Sequence, residues 1–246
     1  MKTLVFAAAG ALALLVSVPA HAATGYVGAQ YTRAQTDAGA SDDDADIFGV
    51  EGAVAFDASE SLGLDIDAGY ADSDDVDSVS SATAHLYAKG ADYKFGGFVG
   101  LGDVDETVWS VGVEGQKSWN AFTLAGAVGY ANADDSDADI YGADIEGRFF
   151  VNDNFRLDAK ASYANIDVQP TDADAWSVGV GAEYQFASAP VSLRAGYTHS
   201  ELDDLNVDSD AFTVGIRYNW SPSLKDRNDN GPSFAGLSSL TSVLAN

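Results

Sequence analysis

The sequence predicts an all-β chain that closes into a transmembrane antiparallel up-and-down β-barrel of about 12 strands. Three observations predict this fold. Segments of about ten residues alternate apolar with small or polar side chains, an apolar leader precedes them, and no later apolar run is long enough for a membrane-spanning helix. A closed barrel in an outer membrane requires this alternation, because successive side chains on each strand face lipid and lumen in turn.

The first 22 residues have the features of a secretory signal peptide. Lys2 gives a positive start, residues 4–18 are apolar, and Ala20, His21 and Ala22 form a small-x-small cleavage site. A membrane-spanning helix is the alternative, but the apolar stretch is shorter than the roughly 20 residues that a span needs. We therefore predict a signal peptide over 1–22, a barrel over 23–220 and an extension over 221–246.

Composition excludes several classes of protein. The 38 acidic residues outnumber the 12 basic ones, and a formal charge of -26 excludes binding to nucleic acid through its phosphates. Disorder is the alternative for so charged a chain, but 46% hydrophobic residues are too many for a chain that stays unfolded. Cysteine is absent, so disulfides and thiolate metal sites are excluded.

Twelve strands follow from the alternation and from the turn residues between them. They are predicted over residues 25–36, 47–57, 62–71, 82–89, 93–102, 108–119, 122–130, 140–151, 155–166, 176–186, 191–198 and 211–220. Short turns follow the even strands at one end, and longer acidic loops join the strands at the other end. This asymmetry predicts periplasmic turns and extracellular loops.

The alternation is clearest on the last strand. Phe212, Val214, Ile216 and Tyr218 share one face, while the residues between them share the other. Aromatic residues near strand ends predict the girdles of a membrane barrel, at Tyr70, Trp109, Trp119, Phe122, Tyr130, Trp176, Phe186, Tyr197 and Trp220. A soluble barrel or sandwich is the alternative, but it has no need for loops segregated by length and charge.

Charged residues on the polar face are predicted to line the lumen, because a lipid-facing Lys or Arg at mid-depth costs about 2–4 kcal/mol. The predicted pore-lining residues are Glu51, Asp65, Asp67, Lys94, Glu114, Asp144, Glu146, Arg148, Arg156, Asp158, Lys160, Glu183, Arg194 and Arg217. Basic members cluster in the last five strands, which predicts a positive wall opposite a negative one. Two interpretations remain open: the charges surround a passage, or they neutralise one another and fill the lumen.

These features together resemble porin-like outer-membrane proteins of Gram-negative bacteria. The resemblance rests on the leader, on the first strand at residues 25–31 (GYVGAQY) and on the last at residues 212–220 (FTVGIRYNW). It implies passive diffusion of small hydrophilic solutes and insertion by the barrel-assembly machinery, which reads an aromatic-ended last strand. The chain departs from the family in continuing beyond Trp220 and in its smaller barrel, which puts the constriction loop and trimerisation of the general porins in doubt.

The extension carries two signals. Asp226, Asn228, Asn230 and Gly231 match the start of an EF-hand calcium loop, but position twelve is Leu237 instead of Glu, so an ordinary linker is favoured. After Pro232, apolar residues recur at helical spacing and predict a short amphipathic helix that docks in the periplasmic mouth, pairs with a partner or frays, at Phe234, Leu237, Leu240, Val243 and Leu244.

Acidic loops predict a negative rim on the outer side of the membrane. Its members are Asp42, Asp43, Asp44, Asp72, Asp74, Asp75, Asp134, Asp135, Asp203 and Asp204. Such a rim attracts cations, and it could hold Ca²⁺ or Mg²⁺ and bridge to lipopolysaccharide phosphates. Plain solvation of the loops is the favoured interpretation, and we predict no cofactor.

The predicted function is therefore an outer-membrane channel for small hydrophilic solutes or ions, with a preference for cations. The alternative is a structural or surface-interaction barrel with a plugged lumen, whose acidic loops bind divalent cations or envelope partners. An enzyme is not predicted, because the mature chain has two histidines, His85 and His199, and no motif for a nucleophile.

Overall fold

The structure is a computed structural model that describes residues 23–39, 42–73, 78–104, 106–134, 136, 138–168, 171–203 and 207–234. The predicted signal peptide lies outside the described residues, as do Leu237, Leu240, Val243 and Leu244 of the predicted terminal helix. In the described part of the chain, no helix is long and apolar enough to cross a bilayer.

Twelve antiparallel strands form the described fold. They are β1 (Ala23–Asp37), β2 (Asp42–Asp57), β3 (Leu62–Ser73), β4 (Val79–Lys89), β5 (Tyr93–Val104), β6 (Glu106–Trp119), β7 (Phe122–Ala133), β8 (Ala138–Asn152), β9 (Phe155–Val168), β10 (Thr171–Gln185), β11 (Val191–Leu202) and β12 (Val207–Asn219). Each strand pairs with its neighbours in sequence, and β1 pairs with β12 to close the barrel. The predicted closed up-and-down barrel is confirmed.

At one end of the barrel, the turn end, the strand boundaries agree with the prediction to within two residues. Strands begin at Leu62, Tyr93, Phe122, Phe155 and Val191, as the sequence predicts. Residues with strong turn preferences stand between these strands. Asn120, for example, has a φ of 44°, a left-handed conformation that asparagine tolerates better than most residues.

At the opposite end, the loop end, the strands run further than predicted. The acidic segments join the ladders, so that Asp37 pairs with Asp42 on one side and with Asp208 on the other. The prediction that connections at this end are markedly longer was therefore wrong. Tyrosines on neighbouring strands bind the added carboxylates: Tyr31 donates to Asp46 at 2.7 Å, Tyr163 to Asp174 at 2.7 Å and Tyr197 to Asp210 at 2.6 Å.

The two faces of each strand differ as the alternation predicts. On β10, Val178 and Val180 are 44% and 60% exposed, while Ser177 and Glu183 are 3% and 1% exposed. The outer face is apolar around the barrel and suits contact with lipid, because each large apolar side chain left in water would cost roughly 1.5–3 kcal/mol relative to burial.

Aromatic side chains form a row near each end of the outer face. Near the loop end, the rings of Trp109 and Tyr130 lie 5.3 Å apart and those of Tyr197 and Phe212 lie 4.9 Å apart. Near the turn end, the rings of Trp119 and Phe122 lie 5.9 Å apart. Such rows are typical of the two membrane interfaces.

The interior has two parts. Apolar side chains on the inner faces of β5–β10 pack together into a buried cluster that includes Phe98, Val108, Ile140 and Ala164. The remaining interior is polar and charged, and a short helix, α1 (Leu224–Asn230), lies in it at the turn end. The fold therefore leaves open space only along part of the lumen.

Candidate functional site

The charged residues that the sequence predicts for the lumen lie on the inner faces of their strands. Asp65, Lys94, Glu114, Arg148, Glu183 and Arg217 are buried. Glu51, Asp67, Glu146, Arg156, Asp158, Lys160 and Arg194 line the main cavity, and Asp144 lines a second, much smaller void beside Glu114. Because side chains alternate between the two faces of each strand, all of these charged residues point into the same interior.

The main cavity has a volume of about 520 Å³. It extends from Ser73 and Val79, at the loop ends of β3 and β4, to Arg227 and Phe234 beyond the last strand. Inner-face glycines provide part of the room. A Cβ at Gly179 would lie 3.2 Å from Cε of Lys160, and one at Gly181 would lie 2.4 Å from a carboxylate oxygen of Asp158.

One wall of the cavity is a network of ion pairs centred on two glutamates. Glu51 accepts hydrogen bonds from Arg194 at 2.9 Å and from Nε of Arg217 at 2.8 Å. Arg217 also donates to Glu183 at 3.0 Å, and Arg156 lies 3.5 Å from the same carboxylate. The network joins β2, β9, β10, β11 and β12, and the pairing is what makes burial of these charges tolerable.

The opposite wall is organised around His85, which is 1% exposed. Its Nε2 lies 2.7 Å from Asp67 and its Nδ1 lies 2.8 Å from Glu114. Next to it, Tyr87 donates to Asp65 at 2.7 Å. His85 was not among the predicted lumen residues, although its position on β4, two residues from Thr83 and from Tyr87, puts it on the inner face.

Residues 221–234 enter the lumen at the turn end, and we call this segment the C-terminal plug. Its helix α1 begins after Ser223, whose hydroxyl accepts a hydrogen bond from the backbone N–H of Asp226 at 3.1 Å, as an N-cap does. Leu224, at the start of α1, is fully buried. Phe234 ends the described segment, and its ring stacks on His85 at a centroid distance of 6.1 Å.

Charged and polar side chains of the barrel hold the plug. Arg227 donates to Glu183 at 2.6 and 3.1 Å and also to Asn219. Lys94 donates to the carbonyl of Gly231 at 2.7 Å and to Ser233 at 2.9 Å.

Further contacts surround the plug. Arg148 donates to the carbonyl of Ser233 at 2.7 Å, Gln116 donates to the carbonyl of Asn228 at 3.0 Å, and Thr24 donates to the carbonyl of Asn230 at 3.1 Å. These partners come from strands around the circumference, so the plug crosses the lumen instead of lying along one wall.

The described helix of the extension precedes Pro232, where the sequence predicts none. The helix predicted after Pro232 lies outside the described residues except for Phe234. The segment that resembles an EF-hand loop is α1 itself, and the side chain of Asn228 is bound to Thr123 at 3.0 Å and to Arg148 at 3.1 Å. Among the described residues, no group of three or more His, Asp or Glu side chains is placed to hold a metal ion.

The predicted acidic rim lies at the loop end but largely on strands. Asp42, Asp43 and Asp44 begin β2, and Asp72 is near the end of β3, while Asp134 and Asp203 follow strands. Asp74, Asp75, Asp135 and Asp204 lie outside the described residues.

Outer-membrane barrels are among the solved structures that this fold resembles. An outer-membrane channel from Pseudomonas putida F1 is similar with a TM-score of 0.56 and 16% identity, over 82% of this chain and 96% of that one. The NanC porin is similar with a TM-score of 0.55 and 7% identity, over 77% of this chain and 98% of that one. The KdgM porin, in complex with disordered oligogalacturonate, is similar with a TM-score of 0.52 and 9% identity, over 78% and 98%.

At the level of sequence, no curated protein matches the chain. A family model does match: that of the outer membrane protein beta-barrel domain, over residues 75–219, which is more than half of the chain. Together with the lipid-suited outer face and the barrel neighbours, this match confirms the porin-like resemblance. The chain belongs to the outer membrane protein beta-barrel domain family and is an integral protein of the outer membrane.

Proposed function

We propose that the barrel is a channel for passive diffusion of small hydrophilic solutes or ions. The observation that carries the proposal is the cavity of about 520 Å³, which is lined by charged side chains and reaches from the loop end deep into the lumen. A wall of this kind favours water and polar solutes over apolar ones. Neighbours with TM-scores above 0.5 are described as a channel and porins, which supports transport rather than catalysis.

A preference for cations is part of the proposal. Acidic side chains predominate at the loop end, among them the exposed Asp43, Asp44 and Asp203. Their negative potential raises the local concentration of cations at the entrance, by an amount that falls as ionic strength rises. In the orientation that we propose, the loop end is extracellular and the turn end is periplasmic.

Planar-bilayer recordings of the purified full-length protein test the channel directly. We expect discrete conductance steps and, under a KCl gradient, a reversal potential that indicates cation preference. Replacing Asp43, Asp134 and Asp203 by asparagine should move that potential toward zero. The matched control replaces three exposed acids at the turn end, Glu60→Gln, Asp92→Asn and Asp153→Asn, and should have the smaller effect.

A second candidate, a surface or structural barrel with a closed lumen, is favoured by one observation, the plug across the turn end. In this case neither the full-length protein nor variants with a weakened plug would conduct. The acidic loop end would then be the functional surface. Removing divalent cations with EDTA should in that case lower the thermal stability of the barrel in outer-membrane vesicles.

A further inference from the structure

We propose that the C-terminal plug is a releasable gate. The inner wall at the turn end is a peptide-binding site that the chain's own residues 221–234 occupy, and their departure opens the lumen. The gating part of this inference rests on the proposed channel function, whereas the binding part does not.

The wall contains one side chain, that of Lys94, whose described hydrogen-bond partners all belong to the plug. All three hydrogen bonds of the Lys94 ammonium go to it: to the carbonyls of Asn228 and Gly231 and to the hydroxyl of Ser233. In the described part of the chain, Lys94 makes no ion pair with a carboxylate of the wall. A buried ammonium is costly without such bonds, so its position here is explained by the bound peptide.

The contact between the plug and the wall is polar enough to separate. Its two large apolar anchors are Leu224 of α1, which is fully buried, and the ring of Phe234, which packs against His85 and Tyr87. The polar anchors are hydrogen bonds and the Arg227–Glu183 pair, and water in an open lumen can solvate these groups once the plug leaves. A helix of seven residues is not stable alone, so α1 is expected to unfold on release.

The barrel itself does not depend on the plug. Without Arg227, Glu183 keeps its hydrogen bond from Arg217 and the nearby Arg156. The ladder between β1 and β12 closes the barrel through strand residues alone. Because the plug follows β12 directly, it remains tethered at high effective concentration and can bind again.

Release of the plug can be measured without recording conductance. The chain has no cysteine, so Ala125→Cys introduces a single thiol, at a position that is 7% exposed and lines the small void together with Ser233 and Phe234 of the plug. We expect slow labelling of this thiol by a membrane-impermeant maleimide in detergent-solubilised full-length protein. Adding Arg227→Ala should raise the labelling rate about 10- to 100-fold, since it removes charged hydrogen bonds.

Two further variants test whether faster labelling is caused by the loss of contacts to the plug. Lys94→Ala acts from the wall side and should also raise the rate, whereas Lys117→Ala removes an exposed charge that pairs with Asp92 and should not. Heat-dependent mobility in SDS gels verifies that each barrel is folded. Fast labelling of Ala125→Cys alone, or equal rates with and without Arg227→Ala in folded barrels, would overturn the binding site.

Bilayer recordings then test the gate. Arg227→Ala and Lys94→Ala should increase the open probability relative to the unmodified chain, and a synthetic peptide of residues 221–234 should reverse the increase. If these substitutions speed labelling but leave the conductance of conducting barrels unchanged, the gate is overturned. If the substitutions speed labelling but no variant conducts, the channel is overturned, and so is the gate that depends on it. The peptide-binding site is then still supported.

Discussion

At the scale of single residues, Glu183 links the wall of the barrel to the plug. It is 1% exposed and accepts hydrogen bonds from Arg217, Arg227 and the hydroxyl of Ser192. The sequence predicts it as a lumen residue because it lies between Tyr184 and Ala182 on an alternating strand. Its partner on the plug could not be predicted, since α1 has one apolar side chain, Leu224, and periodicity detects only repeated apolar positions.

Replacing Glu183 by glutamine should destabilise the folded barrel by about 3–5 kcal/mol, because the buried Arg227 loses its described carboxylate partner and Arg217 loses one of its two, keeping Glu51. Urea unfolding in detergent micelles, followed by tryptophan fluorescence, measures the change. The control Glu60→Gln alters an exposed carboxylate in a turn and should shift the midpoint little. Equal midpoints for the two variants would contradict the role given to Glu183.

At the scale of elements, the two ends of the strands were not equally predictable. At the turn end, residues with strong turn preferences fix the boundaries, and the predicted strands begin where the described ones do. At the loop end, aspartates have a low strand propensity, so the sequence indicates loops. Cross-strand hydrogen bonds from Tyr31, Tyr163 and Tyr197 override that propensity, and no pattern along one strand reveals such a pair.

Tyr163→Phe should therefore loosen the loop ends of β9 and β10. It removes one hydrogen bond to Asp174 and leaves the bond from Asn165 at 2.9 Å, so the expected cost is about 0.5–1.5 kcal/mol. Hydrogen exchange should quicken at amides near Asp174 and not at the turn end. In the control Tyr141→Phe, the hydroxyl that is lost has no hydrogen-bond partner among the described residues, and exchange should stay as it was.

At the scale of the whole molecule, the lumen is a cavity closed at one end, with most of its charges paired. The five arginines that line it, Arg148, Arg156, Arg194, Arg217 and Arg227, all have carboxylate partners. Lys160 also lines the cavity but makes no ion pair with any described residue. The alternation along the strands predicted most of the lumen charges but not His85 or Arg227 of the plug, and which charges remain unneutralised depends on distances across the barrel.

Lys160→Glu should therefore increase the cation preference of the channel, because an unpaired charge acts on passing ions without a neighbour to offset it. The reversal potential under a KCl gradient measures the shift, which should shrink at high salt. Lys117→Glu makes the same change of charge on the outer surface and serves as the control. A shift of the same size in both variants would show that Lys160 does not act from within the lumen.

The plug also affects how the barrel is made. Its anchors lie on strands from both ends of the sequence, including Thr24 on β1 and Asn219 on β12, so the complete docking site is absent until the first and last strands have met. The plug can therefore bind fully only after the barrel has closed, and in an unfinished barrel residues 221–234 would be open to proteases. Resistance of the C-terminus to digestion would accordingly time the moment of closure.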